Sequence, residues 1–452
     1  MSNFIGGNRD QPFLLPPDLK DWLPEDDLAH FVLAAVERVE ITHFKVNARG
    51  TGDAQYHPRM MLALLIYCYA NGIFSSRKIE RATHRDIGVR YIAANTHPDH
   101  DTICKFRREN ADAFGESFLQ VLLLARELKL LKVGMVSVDG TKLDANANKH
   151  RSVRYDRARE LVDQLKLDVD ELISKAEQAD GSGGEDPQAL PKEIARREVM
   201  REKLDAACKR LEAQAKARAK KERVEYEAKL AAREKRPSGR KGGKPKPPDE
   251  TPKNDEQNNL TDPDSRLMRK SEQSEFRQSY NAQAVVDADG SYLILGSRVT
   301  QCASDINELV AAVEAIPEAL DTPATVLADS GYACGAEVET LQGRDIEVLV
   351  STNEGDGRRR YDFRPPKTKK PPKEPQAEWI KAMRAKLEIS ENRKKYRLRR
   401  QTVEPVFGIL KNVLGFRRFS LRGLAKVESE WKLLSLAYNC KRLHRMQGAL
   451  VV

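Results

Sequence analysis

The stretch "VSVDGTKLDANANKH", residues 136–150, decides the fold. Its apolar start predicts a β-strand that ends at Asp139-Gly140, and a second aspartate, Asp144, follows a few residues later. We expect Asp139 at the carboxyl end of this strand, where functional groups gather in α/β sheets. Asp144 lies beyond the predicted strand, and we expect its carboxylate to cap the loop.

The chain has 452 residues and a basic composition, with 78 Lys+Arg against 68 Asp+Glu and a formal net charge of +10. This balance indicates a polyanionic partner such as nucleic acid, although solubility alone also explains it. Six cysteines without a C-x-x-C pair argue against a zinc knuckle and a disulfide framework. The longest apolar run, residues 60–70, is too short to span a bilayer, so we expect a soluble, cytoplasmic protein without membrane contact.

The first 125 residues predict a helical domain. Apolar residues recur at helical spacing in "LAHFVLAAVERV" and "RMMLALLIYCYANGI". "HPDHDTICKFRREN" predicts another helix, capped by Asp101, with Arg107 and Arg108 on its exposed face. Short basic helices favour a DNA-binding domain, and a helical domain that serves only packing is the alternative.

A long helical insertion follows the first strand. Val162, Leu165 and Val169 begin a heptad pattern that Leu204 and Leu211 resume after the loop "DGSGGEDP". The pattern predicts an antiparallel coiled-coil hairpin, which is either self-paired or paired with another chain. The Pro-, Gly- and Lys-rich stretch "EKRPSGRKGGKPKPPDETPKNDEQNN" behind it predicts a flexible basic linker rather than a packed segment.

Strand patterns return in "QSYNAQAVVDADGSYLILGSRVT", where Asp289-Gly290 predicts a hairpin turn. A helix, the strand "ATVLADSGY", a second helix, the strand "IEVLVST", a Pro/Lys-rich insert and two closing helices complete the chain. Without the inserts, the order of elements is that of the RNase-H fold. The predicted fold is therefore an α/β RNase-H-like catalytic core with an all-α N-terminal domain and an inserted α-helical coiled-coil hairpin.

The predicted organisation has six segments, and the catalytic domain is interrupted twice. They are the N-terminal domain 1–125, catalytic segment 126–152, hairpin and linker 153–264, catalytic segment 265–352, basic insert 353–394, and closing helices 395–452.

Two aspartates stand at equivalent places, Asp139 in "VSVDG" and Asp329 in "VLADSGY", each after an apolar strand. If the strands are neighbours, the two carboxylates would repel each other unless a divalent cation lies between them. Oxygen ligands suit Mg²⁺ or Mn²⁺.

A third carboxylate, Glu404, lies on the predicted helix "RRQTVEPVFGILKNVLGF". Arg400, Gly408 and Lys411 share its face, and the glycine suggests that something large approaches there. A surface ion-pair ladder is the alternative; we prefer a metal-binding glutamate whose neighbouring cations, Arg400 and Lys411, bind DNA phosphates.

Three carboxylates on such a sheet indicate phosphodiester chemistry with two metal ions. The ions would activate water or a 3′-hydroxyl for in-line attack and stabilise the leaving oxygen. The sequence has no "GxxxxGK[ST]" loop, so ATP hydrolysis is not expected.

The sequence resembles a DDE transposase of a bacterial insertion sequence, from the group related to the IS-four and IS-five families with a long insert after the first catalytic aspartate. The resemblance rests on "RMMLALLIYCYANGIFSSRKIERA", "HPDHDTICKFRR", "VSVDGTKLDANAN", "SYNAQAVVD", "VLADSGY" and the stretch from residue 400 to 443. It implies that Asp139, Asp329 and Glu404 form the catalytic triad. Arg400 and Lys411 keep the family's offsets from Glu404, whereas Arg397 replaces its tyrosine, with Tyr396 one residue early.

The resemblance further implies cleavage at terminal inverted repeats and joining to target DNA, by a homodimer that holds both element ends. A bacterial transposase would work at the nucleoid. A metal-dependent endonuclease without strand transfer and a DNA-binding regulator without catalysis are the alternatives. A regulator is expected to lack a carboxylate, and all three are present.

Overall fold

The computed structural model describes residues 18–46, 54–179, 189–234, 245–270, 273–352 and 377–450. Its helices are α1 Leu28–Glu37, α2 Pro58–Ala70, α3 Ser76–Arg85, α4 Ile87–Ile92, α5 His100–Glu109, α6 Ala111–Glu127, α7 Tyr155–Ala179, α8 Ala189–Glu234, α9 Leu309–Val313, α10 Gly335–Gln342, α11 Glu378–Glu388, α12 Ser390–Gly408 and α13 Leu424–Leu450. Its strands are β1 Met135–Asp144, β2 Ser152–Arg154, β3 Gln257–Asn259, β4 Arg266–Met268, β5 Arg277–Asp287, β6 Ile294–Thr300, β7 Thr325–Ala328 and β8 Glu347–Val350.

The chain divides into two compact units, one formed by residues 1–143 and 281–452 and the other by residues 144–280. The first unit contains both the N-terminal helices and the main sheet. The six-segment division predicted above is finer than this and stays a prediction.

The sheet of the first unit has the strand order β6-β5-β1-β7-β8. β5 and β6 form the predicted antiparallel hairpin, and Gly290 in its turn has a positive φ of 118°, which glycine adopts without strain. β1 is parallel to β7, and β7 is parallel to β8. Because parallel neighbours end at one edge of a sheet, residues that follow β7 lie beside the distal half of β1.

Helices cover this sheet. α12 packs on β7 and β8, and α13 packs against β6 and against α2 and α6 of the N-terminal region. Tyr396 and Leu398 of α12 lie against buried Leu327 and Leu349 of the sheet. This packing fixes α12 over the carboxyl ends of the parallel strands.

The second unit contains the two long helices of the insertion. Its apolar cluster joins α7 to α8 through the buried residues Ala158, Leu204 and Leu211, and Leu165 packs on the same cluster. Val169 is buried, as the heptad pattern requires. The predicted loop at residues 180–187 lies outside the described residues, and the name coiled coil stays a prediction.

The predicted linker is packed at its distal end, which corrects the prediction of a flexible segment. β3 pairs with β2, and Asn258, Asn259 and Asp262 are buried. The Asn259 side chain accepts hydrogen bonds from two backbone N–H groups of the following turn, at Thr261 and Asp262. Residues 235–244 of the linker lie outside the described residues.

The second insert ends in a helix, α11, and residues 353–376 lie outside the described part of the chain. All six cysteines are free thiols. Among the described helices, none has the length and apolar character to cross a membrane.

Candidate active site

Asp139 lies in the middle of β1 rather than at its end, because the strand continues to Asp144. This corrects the predictions that Asp139 ends the strand and that Asp144 lies beyond it. Asp139 Oδ1 accepts a hydrogen bond from the N–H of Gly140 at 2.8 Å, which turns the carboxylate back along the strand. Asp144 is paired with Arg277 at 3.1 Å, so its carboxylate serves an ion pair rather than a turn.

Asp329 follows β7 directly, as predicted, and caps the short 3-10 turn Ser330–Tyr332. Its Oδ1 accepts a hydrogen bond from the N–H of Gly331 at 2.8 Å. Because β7 pairs in parallel with β1, Asp329 lies at the edge of the sheet that also carries Asp139.

The two aspartates influence each other electrostatically. Burial, together with the negative charge of Asp329, raises the pKa of Asp139 to about 7. Burial also raises the pKa of Asp329, and Asp305 and Glu404 contribute to that shift. Several negative charges therefore meet in a partly desolvated space, where their ionised forms need a counter-charge.

Arg399 supplies the cation between the carboxylates. Its guanidinium donates to Glu404 Oε1 at 3.0 Å and lies 3.9 Å from Asp139 Oδ2. The Arg399 side chain is 10% exposed, whereas Glu404 is 48% exposed. One buried arginine thus connects the carboxylate of α12 to that of β1, and Asp139, Asp329 and Glu404 share one site.

The neighbouring cations on α12 have different surroundings. Arg400 is exposed, and the Lys411 ammonium lies 5.7 Å from the centre of the Phe407 ring. A Cβ built on Gly408 meets no described protein atom within 4 Å, so the close approach of something large at this glycine stays a prediction. The helix instead loosens into a π-helical turn, Ile409–Val413, directly after it.

Arg107 is buried, which corrects its predicted place on the exposed face of α5. Its guanidinium donates to the Tyr69 hydroxyl at 2.8 Å and to the Phe74 carbonyl at 2.9 Å, and it lies 3.9 Å from Glu430. Arg108 is exposed, as predicted. The N-cap of this helix is Asp99 rather than Asp101, because Asp99 accepts from the N–H of Thr102.

Two residues of the site were missed from the sequence, Arg399 and Asp305. Arg399 had a usable signal, because the buried stripe that includes Val403 and Phe407 reaches Arg399 one helical turn earlier. Asp305 lies in the loop between β6 and α9 and gave no periodic signal. Its contacts depend on β5, which only the tertiary fold brings alongside.

The donor chemistry of the site fits a hard divalent cation. Asp139, Asp329 and Glu404 offer only carboxylate oxygens, the ligands preferred by Mg²⁺ and Mn²⁺. Within the described residues, no three His, Cys, Asp or Glu side chains already have metal-binding geometry. The Arg399 guanidinium contacts two of the three carboxylates instead.

Fold and site together define a class: an α/β enzyme with a cluster of acidic side chains at the edge of a mixed sheet. Residues 255–440 match the family described as "Transposase DDE domain", and residues 17–109 match the "Transposase domain (DUF772)". The chain is therefore a DDE transposase of an insertion sequence, an enzyme of DNA transposition with an RNase-H-like core. Enzymes of this family use divalent metal ions and act on DNA.

The match over residues 255–440 includes Asp329 and Glu404. Asp139 lies outside both matches, between residues 109 and 255. Searches of curated proteins and of solved structures gave no significant match.

Proposed function

We propose that Asp139, Asp329 and Glu404 are the DDE triad of this transposase and bind two Mg²⁺ or Mn²⁺ ions. The observation that carries the proposal is the Arg399 guanidinium, which contacts Glu404 and Asp139 beside Asp329. The Arg399 guanidinium already contacts the Asp139 and Glu404 carboxylates, which are two of the three proposed metal ligands. When bound, the ions activate a water or 3′-hydroxyl nucleophile and stabilise the leaving oxygen of the phosphodiester.

The protein's own residues orient this reaction. The Gly140 and Gly331 N–H groups each hold one oxygen of an aspartate, which leaves the second oxygen of Asp139 and of Asp329 for a ligand. Glu404 projects from a helix packed on the sheet, and we expect DNA to approach from the side of its exposed carboxylate. The scissile phosphate would lie over these three oxygens, so that attack and departure occur in line.

Exposed cations position the DNA. Arg400 and Lys411 flank Glu404 on the same helical segment, and we assign both to backbone phosphates of the element end. Arg108, exposed on α5, is a further phosphate contact. Arg107 is not, because it is buried in an ion pair.

The products are DNA ends with free 3′-hydroxyls, which the same site joins to target DNA. Two terminal inverted repeats require two active sites, so we assign a homodimer that holds both ends. The reaction takes place at the bacterial nucleoid and requires no ATP. The chain belongs, on this proposal, to the IS-four and IS-five related group with a long insert.

The test is a strand-joining assay with pre-cleaved element ends and Mg²⁺. Glu404→Gln removes a metal-binding charge at nearly constant size, so we expect loss of cleavage and joining with unchanged affinity for end DNA. Glu391→Gln is the matched control, since Glu391 is a 77% exposed glutamate on the same helix and should keep full activity. Full activity of Glu404→Gln would contradict the triad, and cleavage without joined product would show a nuclease.

A further inference from the structure

A second set of polar residues lies beside the candidate triad, with Asp305 half-buried and Asn281, Gln283 and Tyr332 buried. Asp305, in the loop after β6, accepts hydrogen bonds with one oxygen, Oδ1, from two amides. The donors are Asn281 Nδ2 and Gln283 Nε2, both at 2.7 Å, and each of these residues is 1% exposed. Asn281 and Gln283 are two apart on β5, so their side chains point to the same face of the sheet.

This polar group presses against the residue that follows Asp139. A Cβ built on Gly140 would lie 2.4 Å from Gln283 Nε2 and 2.5 Å from Asp305 Oδ1. Real Cβ atoms do not approach so closely, so the Asp305 group occupies the place of a side chain at position 140. The position of the β1 backbone at Asp139 is thereby set from the side of β5.

The same group also reaches the turn that carries Asp329. Gln283 Oε1 accepts a hydrogen bond from the Tyr332 hydroxyl, three residues after Asp329. Tyr332 is fully buried. The backbone carbonyl of Gln283 accepts a hydrogen bond from Trp431 Nε1 at 2.9 Å. Asp305 Oδ2 faces this turn as well, 3.7 Å from a Cβ built on Gly331.

We propose, on the basis of the proposed triad, that Asp305, Gln283 and Tyr332 form a positioning relay that holds the Asp139 and Asp329 carboxylates at a fixed separation. The Asp305 carboxylate orients the Gln283 amide by accepting a hydrogen bond from its Nε2. The Gln283 Oε1 then fixes Tyr332 by accepting a hydrogen bond from its hydroxyl. In this proposal Asp305 acts through the two hydrogen bonds that its Oδ1 accepts, and the Asp305→Asn variant tests whether its Oδ2 serves as a charged metal ligand instead.

A role of Asp305 in folding alone and a role in positioning the carboxylates predict different effects on the metal requirement. Partners that orient metal ligands typically change metal affinity or activity by about 10–100-fold when removed. A residue that serves folding alone would change the stability of the metal-free protein and leave the metal requirement as it was. The metal concentration at half-effect therefore separates the two roles.

The experiment compares Asp305→Ala with Asp305→Asn in the full-length protein. Two quantities are measured across a Mg²⁺ titration: the rise in melting temperature, which reports binding, and the rate of end cleavage. We expect Asp305→Ala to raise the half-effect Mg²⁺ concentration in both by about 10-fold or more. We expect Asp305→Asn to restore it, because an amide oxygen still accepts from Asn281 and Gln283.

Two further variants complete the series. Tyr332→Phe removes a single hydrogen bond and keeps the buried ring, so it should give a smaller shift in the same direction and serves if Asp305→Ala does not fold. Asp321→Ala removes an exposed carboxylate before β7 and should change nothing.

Every outcome of this experiment either supports or overturns the positioning role of Asp305, Gln283 and Tyr332. An unchanged Mg²⁺ requirement in Asp305→Ala or Tyr332→Phe overturns it, and so does an Asp305→Asn variant as impaired as Asp305→Ala, which would make Asp305 a charged ligand. Failure of the triad itself is recognised separately, because Asp139→Asn would then keep a normal Mg²⁺ requirement whatever the Asp305 variants do.

Discussion

Two buried arginines of the first unit have opposite electrostatic surroundings. Arg107 meets one carboxylate, Glu430, which is fully buried. The second carboxylate oxygen of Glu430, Oε2, accepts from the backbone N–H groups of Ser420 and Leu421. Positive and negative charge are balanced there, and the cluster joins α5 to α13 without needing another ion.

Arg399 meets an excess of negative charge. It contacts Asp139 and Glu404, and Asp329 and Asp305 lie close enough to raise the pKa of Asp139. One guanidinium cannot neutralise this group. The difference teaches that a balanced buried pair stabilises the fold, whereas an unbalanced acidic cluster is a site that awaits further cations.

The largest effect is expected at the balanced cluster. Arg107→Ala leaves Glu430 buried without its counter-charge, and breaking such a pair costs about 3–5 kcal/mol of unfolding free energy. Urea unfolding of the metal-free protein measures this. The neighbouring Arg108→Ala should stay within about 0.5 kcal/mol of the parent, since Arg108 is exposed. Equal effects of the two variants would refute the distinction.

A smaller loss is expected at the unbalanced cluster, and divalent metal should reverse it. Arg399→Ala removes the charged hydrogen bond to Glu404, and such a bond is worth about 1.5–3 kcal/mol. Because bound cations would replace the lost charge, Mg²⁺ should stabilise Arg399→Ala more than it stabilises the parent. Melting curves with and without MgCl₂ measure the difference. An identical Mg²⁺ effect in both proteins would disprove the role of Arg399 as the counter-charge.

Gly140 tests the packing behind the acidic cluster. Gly140→Ala inserts a methyl group between Gln283 and Asp305, and overpacking of this kind costs about 1–3 kcal/mol. We also expect slower cleavage, because β1 must shift at Asp139. Gly115→Ala is the control: it lies in α6 with open space around its Cβ, so it should stabilise the protein by up to about 1 kcal/mol. An unchanged free energy of unfolding in Gly140→Ala would show that the side chains of Gln283 and Asp305 can move away from the added methyl group without cost.

The smallest effect concerns DNA affinity alone. Arg400→Ala should weaken binding to all DNA sequences about equally and reduce the salt slope of binding by about one. Arg344→Ala is the control, since Arg344 is ion-paired with Glu314 and lies just before β8, at the opposite edge of the sheet. Titration of binding against salt concentration measures both. An unaltered slope for Arg400→Ala would remove this residue from the phosphate contacts.

The sequence predicted the elements of the sheet well. The hairpin of β5 and β6, the strand before Asp329 and the helix carrying Glu404 were all confirmed, because apolar periodicity and turn residues are local signals. It failed for the end of the linker, where the buried Asn259 side chain donates to the Asn148 carbonyl and the Ser152 hydroxyl, partners that no periodicity reveals.

What the sequence determined by itself is therefore the order of strands and helices and which of them carry Asp139, Asp329 and Glu404. Tertiary structure decided that Arg107 rather than Arg108 faces inward, whereas on α12 the apolar stripe of Val403 and Phe407 already indicated Arg399. Successive residues of a helix point about 100° apart. The orientation of each helix about its own axis therefore buries one arginine of a pair, Arg107 on α5 and Arg399 on α12. Their neighbours Arg108 and Arg400 are exposed. Only the packed sheet brings Asp305, more than twenty residues along the chain, onto the amides of β5.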